Sequence, residues 1–121
     1  MGGRTSKINL PPTNFNLIIA SPVSYGVQLA EEYGYISDSY SVGEARGITF
    51  YRRSYSTIII ALDEDATPGL IAHESLHVLN WLYKAIGQKT NINSDELDAL
   101  LLEYIVDNVY KHLCKKKSYK K

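Results

Sequence analysis

The stretch Ile71-Ala72-His73-Glu74-Ser75-Leu76-His77-Val78-Leu79-Asn80-Trp81 carries the spacing His-Glu-x-x-His within an apolar run. Residues four apart on an α-helix stand one above the other, with Cβ atoms roughly 5–6 Å apart, so His73 and His77 would share one face. Two neutral imidazoles at that separation can bind one zinc ion. Glu74, about 100° further round the helix, would reach a water on that metal and could act as a general base. The alternative is that both histidines make ordinary hydrogen bonds in a buried helix.

The helix that carries this motif has well-marked predicted ends. Thr67-Pro68 is typical of an N-cap followed by a first-turn proline, and Gly87 is placed to end the helix. Most of the helix surface is apolar, and its polar side chains form a single stripe at His73, His77, Asn80 and Lys84. Because polar groups are costly to bury without a partner, this stripe indicates a polar destination, such as a metal site.

Length and composition indicate a single soluble domain. The chain has 121 residues, of which 45% are hydrophobic and 21% charged. Its 13 basic and 13 acidic residues cancel, which predicts no general attraction to nucleic acid or to a membrane surface. We expect residues 1–13, and the basic residues 115–121, to be flexible. No run approaches the ~18–20 apolar residues that cross a bilayer, and we expect a cytoplasmic location.

Several elements precede the motif helix. In chain order they are predicted as a buried strand over 15–20, a helix capped by Ser21 and running to about Tyr33, a strand over 47–53 and a strand over 56–62. The last two strands should form a hairpin around Ser54-Tyr55. Residues 35–46 are rich in Ser, Tyr and Gly, and we predict a loop or an irregular edge there.

A second long helix is predicted after the motif helix, over about 95–113, following a polar loop at 88–93. The short connection predicts that this helix is an antiparallel neighbour of the motif helix. Its predicted packing face consists of Leu97, Leu101, Tyr104, Ile105 and Val109. The single cysteine, Cys114, excludes an internal disulfide and a zinc site built on thiolates.

A catalytic zinc usually takes three protein ligands, so a third must join the two histidines. On an antiparallel second helix, geometry alone leaves Glu96, Asp98 and Glu103 in competition. Glu96 also has an ordinary structural interpretation, since with Asn93 as the N-cap it would complete a capping box. His112, the only further histidine, lies near the end of the second helix.

The motif, followed by Asp95-Glu96-Leu97-Asp98-Ala99-Leu100-Leu101-Leu102-Glu103-Tyr104 on a second helix, resembles the gluzincin-type zinc metallopeptidases. It is similar in particular to small metallopeptidases encoded by bacteriophages, over roughly 47–104. The resemblance implies a minimal zincin-like α+β domain, in which a small sheet packs an edge strand on the motif helix. It also implies that Glu96 is the third ligand. Leu100 stands where many gluzincins carry an aspartate that orients a zinc histidine, so Asp98 and Glu103 are the candidates for that support.

The predicted function is hydrolysis of a peptide bond with one zinc ion, a metal-bound water and Glu74 as general base. The substrate would be a peptide or protein, of phage or host origin if the chain is phage-encoded. An oxyanion donor is also expected, and the 10 tyrosines do not single one out. The alternative function is a zinc-stabilised, catalytically silent interaction protein of a phage or mobile element. A third possibility is metal-free, with the histidines purely structural.

Overall fold

The computed structural model describes residues 2–37, 46–52, 55–87 and 96–118. In chain order the elements are β1 (Arg4–Asn9), β2 (Asn16–Ser21), α1 (Val23–Glu32), β3 (Ile36–Ser37), β4 (Gly47–Tyr51), β5 (Thr57–Leu62), α2 (Pro68–Ile86) and α3 (Glu96–Ser118). The strands form one sheet in the order β1-β2-β5-β4-β3. β2 and β5 are parallel, and the other neighbours are antiparallel. The predicted α+β class is confirmed.

The sheet separates two apolar clusters, because side chains alternate across a strand. On β5, Ile58, Ile60 and Leu62 belong to the larger cluster, which α2 and α3 complete. Ile59 and Ala61 belong to a smaller cluster on the opposite face, beneath α1. A strand that is covered on both faces has a continuous run of apolar residues, and residues 58–62 form such a run.

β1 was not expected, and the prediction of a flexible lead-in is wrong for Arg4–Asn9. All six of its residues pair with β2, from Arg4 opposite Ser21 to Asn9 opposite Asn16. Thr5 and Lys7 point to solvent, so the strand lacks the apolar pattern by which a strand is predicted. Its backbone hydrogen bonds, rather than apolar burial, define it.

The strand that precedes the motif helix lies in the middle of the sheet. β5 is flanked by β2 and β4, while the edges are β1 and the two-residue β3. The expectation that an edge strand packs on the motif helix is therefore wrong for β5, because β2 pairs with β5 on the side away from β4, and β1 lies beyond β2. The antiparallel hairpin of β4 and β5 is confirmed. Ser54, part of its predicted turn, lies outside the described residues.

The start of α1 differs from the prediction. Ser21 does not cap the helix; instead the carboxylate of Asp63 accepts a hydrogen bond from the backbone N–H of Val23 at 2.9 Å. Ser21 ends β2, where its hydroxyl donates to Glu64 and lies 2.9 Å from Nε2 of His112. A buried hydroxyl with these stronger partners is not free to cap.

α2 and α3 are antiparallel neighbours. At one end, the Tyr83 hydroxyl of α2 donates to the Asp98 carboxylate near the start of α3. At the other end, His112 of α3 meets Ser21, which also contacts Glu64, four residues before α2 begins. The antiparallel packing predicted from the short connection is confirmed, while residues 88–95, including Asn93, lie outside the described residues.

The packing face of α3 is confirmed only in part. Leu101, Ile105 and Val109 are buried, but Leu97 is 55% and Tyr104 37% exposed. The buried stripe continues instead through His112 and Leu113. α3 itself extends to Ser118, past its predicted end. Among the described helices, none is both long enough and apolar enough to cross a bilayer.

A polar network at the fully buried His112 joins both ends of the described chain. Its Nδ1 lies 2.6 Å from the Ser6 hydroxyl of β1, and Arg4 donates to its backbone carbonyl at 3.0 Å. Since the Ser21 hydroxyl donates to Glu64, Ser21 is left to accept from the Nε2–H of His112, and Ser6 donates to Nδ1. Arg4 also forms an ion pair with Glu64 at 2.7 Å.

We predict that His112→Ala lowers the free energy of unfolding by about 2–4 kcal/mol, because it leaves a cavity and removes the partner of two hydroxyls. Urea unfolding followed by circular dichroism measures the change. The control is Lys111→Ala at the exposed neighbouring position, which should stay within about 0.5 kcal/mol of the parent. An equal, small effect of both substitutions would show that the network does not stabilise the fold.

Candidate metal centre

α2 holds the motif in the second and third turns of a well-capped helix. The Thr67 side chain accepts a hydrogen bond from the Leu70 N–H at 3.2 Å, and Pro68 occupies the first turn. At the other end Gly87 has φ of +74°, the left-handed conformation that ends helices. The predicted helix and both of its ends are confirmed.

The structure brings His73, Glu74 and His77 together. Each offers one ligand atom, and these atoms all lie within 4.8 Å of one another. The two imidazole rings have centroids 4.9 Å apart and are inclined by 78°. The His73 side chain is 64% exposed, whereas His77 is half-buried. The cluster therefore opens to solvent on the side of the histidines.

Glu74 differs from the histidines because it is buried, with only 5% of the residue exposed. Its Oε1 lies 2.8 Å from the Thr49 hydroxyl of β4, and its backbone oxygen lies 3.2 Å from the same hydroxyl. A hydroxyl carries one proton, so Thr49 donates to the nearer carboxylate oxygen. Oε2 lies 3.9 Å from Nε2 of His73. One oxygen is thus anchored to the sheet, and the other lies beside the histidines.

Thr49 was missed by sequence reasoning, although a signal was present. β4 alternates so that Ile48 and Phe50 join the cluster beneath α1, while Gly47, Thr49 and Tyr51 lie on the α2 side. In a strand whose side chains alternate between apolar and polar, the polar side usually faces solvent. Here it faces the motif helix instead, and its Thr49 hydroxyl meets the buried acid of the motif.

Gly47 allows β4 to approach α2 closely. A Cβ at this position would lie 2.6 Å from Cδ2 of Leu62 and 3.1 Å from Cγ of Glu74. Since both distances are below ordinary van der Waals contact, a larger residue would displace the Glu74 side chain or the neighbouring strand. Position 47 has no room for a side chain, so glycine is required there, and the close approach it allows helps to fix where Glu74 lies.

The polar stripe of α2 lies largely at solvent-exposed positions, so water is already a polar destination for most of it. His73, Asn80 and Lys84 are exposed, and His77 is half-buried. The apolar surface is less completely covered than expected, since Leu76 is 47% and Ile86 43% exposed.

The three acids proposed on α3 lie outside the cluster. Glu96 and Glu103 are exposed and, being seven residues apart, share one helix face. Asp98 accepts the hydrogen bond of Tyr83. Burial, with that hydrogen bond as a second cause, raises the pKa of Tyr83 to about 12, so the phenol keeps its proton at neutral pH. None of the three contributes a ligand atom to the group of His73, Glu74 and His77.

The contact between Tyr83 and Asp98 also fixes the register of the two helices. His77 lies six residues before Tyr83, and Tyr104 lies six residues after Asp98, so each is about 9 Å along its helix from that contact. In axial position Glu103 is therefore nearer to His77 than Glu96 is. Glu96 as third ligand, and Asp98 or Glu103 as the acid that orients a zinc histidine, stay predictions.

Comparisons of this chain with protein-family models, with curated proteins and with solved structures found no match. The geometry of the cluster must therefore carry the functional inference.

We predict that Thr49→Val lowers the free energy of unfolding by about 1–3 kcal/mol, because the buried carboxylate loses its donor while the shape of the side chain is kept. Chemical denaturation measures the change. Thr5→Val makes the same substitution at an exposed position of β1 and is the matched control. If Thr49→Val costs no more than the control, the hydroxyl does not hold Glu74.

Proposed function

We propose that this chain is a zinc-dependent metallopeptidase that hydrolyses a peptide bond. One observation carries the proposal: two imidazoles and a carboxylate, one ligand atom from each within 4.8 Å of the others, lie on one turn of α2, and one of the imidazoles, His73, is exposed. Among the residues that the structure describes, no other group of three potential metal ligands is this close together. The substrate class would be a peptide or a protein.

The donor chemistry of the cluster suits zinc. Zinc prefers imidazole nitrogen, thiolate sulfur and carboxylate oxygen, and the cluster supplies the first and the last of these. His73 and His77 would hold the ion. The exposure of His73 leaves room for a substrate to approach, which a closed structural site would not require.

Zinc held by His73 and His77 would supply Lewis acidity for a substrate carbonyl and for the attacking water. Glu74 takes the proton of the attacking water and passes it to the leaving amine. Thr49 prepares Glu74 for this role by holding Oε1, so that Oε2 is left on the side of the histidines. Burial among the residues of β4 and α2 keeps that carboxylate in one orientation.

In this proposal the two helices have a zincin-like arrangement, and the gluzincin resemblance implies Glu96 as the third ligand. The register of the helices favours Glu103 instead, since it lies nearer to His77 along the helix axis. Glu96 opens α3, which is antiparallel to α2, and its carboxylate is exposed and not engaged by Tyr83. Asp98 instead ties the two helices together. A phage or host protein in the bacterial cytoplasm is the substrate that the same resemblance suggests.

One observation favours the second candidate, a zinc-stabilised protein without catalysis. All donors of the described cluster come from α2, and Glu74 is the carboxylate among them. If Glu74 binds the metal as the third ligand, it is not available as a general base. The two functions therefore differ in the role of a single side chain.

We predict that Glu74→Gln keeps zinc bound and lowers peptide cleavage by about 10²–10⁴-fold, because it removes the general base and leaves both histidines. Metal content is measured by elemental analysis after dialysis, and cleavage by mass spectrometry of a peptide library. His73→Ala is the control that should lose the metal. Loss of zinc from Glu74→Gln would assign this carboxylate as a ligand and favour the silent protein.

We predict that Glu96→Gln weakens zinc binding by about 10–100-fold, since removal of one ligand leaves only two imidazoles on the ion. Competition with a fluorescent chelator measures the affinity. Asp107→Asn changes an exposed acid on the same helix and should leave the affinity unchanged. Equal affinities of both variants would exclude Glu96 as a ligand.

A further inference from the structure

A cavity of about 760 Å³ is lined in part by α2 and β4, the two elements that also hold the candidate metal centre. It is formed by the ends of β4 and β5 and by the C-terminal half of α2, with further residues from the turn before β2. Cavities of roughly 300–1,000 Å³ are typical of ligand sites. A single side chain would not fill this volume, so several consecutive residues of a peptide could enter it.

Two aromatic side chains form one wall of the cavity. The rings of Tyr51, from β4, and Trp81, from α2, are stacked with centroids 3.3 Å apart and planes inclined by 25°. Phe15 and Ile58 add apolar surface. Aromatic walls of this kind bind aromatic or large apolar side chains through burial and ring contacts.

Both charged side chains among the described residues of the cavity wall are cationic. The Lys84 ammonium lies 4.7 Å from the centroid of the Trp81 ring, and the Arg52 guanidinium carbon lies 4.0 Å from that of Tyr55. Arg52 also donates to the backbone oxygen of Tyr33. No aspartate or glutamate is among these wall residues, so the cavity favours a negatively charged guest.

The aromatic wall of the cavity belongs to α2 and β4, the same two elements that hold Glu74. Trp81 lies four residues after His77, hence on the same side of α2 and about 6 Å further along the helix axis. Tyr51 lies two residues after Thr49, on the same face of β4. An extended peptide advances about 3.3 Å per residue, so a side chain about two residues from the scissile bond would reach the aromatic wall.

We propose that this cavity binds an acidic–aromatic segment of the peptide substrate. The aromatic side chain packs against Tyr51 and Trp81, and a neighbouring carboxylate pairs with Lys84 and Arg52. As a statement about substrate choice, this rests on the proposed peptidase function. The binding preference itself depends only on the cavity, and it can be measured without zinc and without turnover.

Trp81 is the only tryptophan of the chain and lies in the cavity wall, so its fluorescence reports occupancy directly. The probe is a hexapeptide blocked at both ends, with the sequence Ala-Ala-Glu-Phe-Ala-Ala. Three comparison peptides replace its glutamate by glutamine or lysine, or its phenylalanine by alanine. Midpoints of the titrations are compared, using the full chain with and without zinc. We expect the parent peptide to bind more tightly than all three.

Charge reversal at Lys84 tests the assigned role of the cations. Lys84→Glu should weaken binding of the glutamate peptide by about tenfold, because the new carboxylate repels that of the peptide. It should improve binding of the lysine peptide, because the new carboxylate attracts the peptide ammonium. Lys84 is exposed, so the fold should tolerate the substitution. Lys111→Glu makes the same change on α3, away from the cavity wall, and should leave every midpoint unchanged.

The outcomes separate this inference from the proposed function. Preference for the acidic–aromatic peptide, reversed by Lys84→Glu, supports the cavity assignment whether or not cleavage is detected. Binding without charge preference, or no binding at all, overturns it, even if zinc and cleavage are found. The peptidase proposal fails separately, if the parent chain shows no zinc-dependent peptide cleavage or if Glu74→Gln does not abolish that cleavage.

Discussion

The geometry of the candidate site depends on the burial of one carboxylate between a helix and a sheet. Glu74 is 5% exposed, and a charged group at that depth requires a donor. Thr49 supplies it across the interface of β4 and α2, and Gly47 leaves the space in which the two elements meet. This contact fixes how α2 is rotated against the sheet. Because His73 and His77 belong to the same helix, their positions on its outer side follow from that rotation.

The elements that could be predicted are those whose signals are local. Thr67, Pro68 and Gly87 mark the ends of α2 by their own backbone preferences, and the apolar run at 58–62 marks a strand covered on both faces. β1 could not be predicted in this way, since it is a polar strand that forms by pairing with β2. The prediction that Ser21 caps α1 was wrong because the partners of Ser21 are not local. They are Glu64 and His112, which are 43 and 91 residues away in sequence.

The same distinction applies within the site. The spacing of His73, Glu74 and His77 determines their proximity on any helix, so the sequence could predict the cluster. Thr49 belongs to another element, and its contact with Glu74 depends on how a strand packs on a helix. Glu96 depends on the register between two helices, and that register is set by Tyr83 and Asp98. Sequence spacing carries no information about such a register.

The network at His112 has a consequence for biosynthesis. Ser6 and Arg4 are synthesised more than a hundred residues before His112, their partner. β1 can pair with β2 early, because these strands are close in sequence. The hydroxyls of Ser6 and Ser21 gain their shared partner, His112, only when most of α3 has emerged. Native packing on this face of the sheet is therefore completed only after His112 has emerged, and nascent chains that stall before His112 should be the species most exposed to proteases and chaperones.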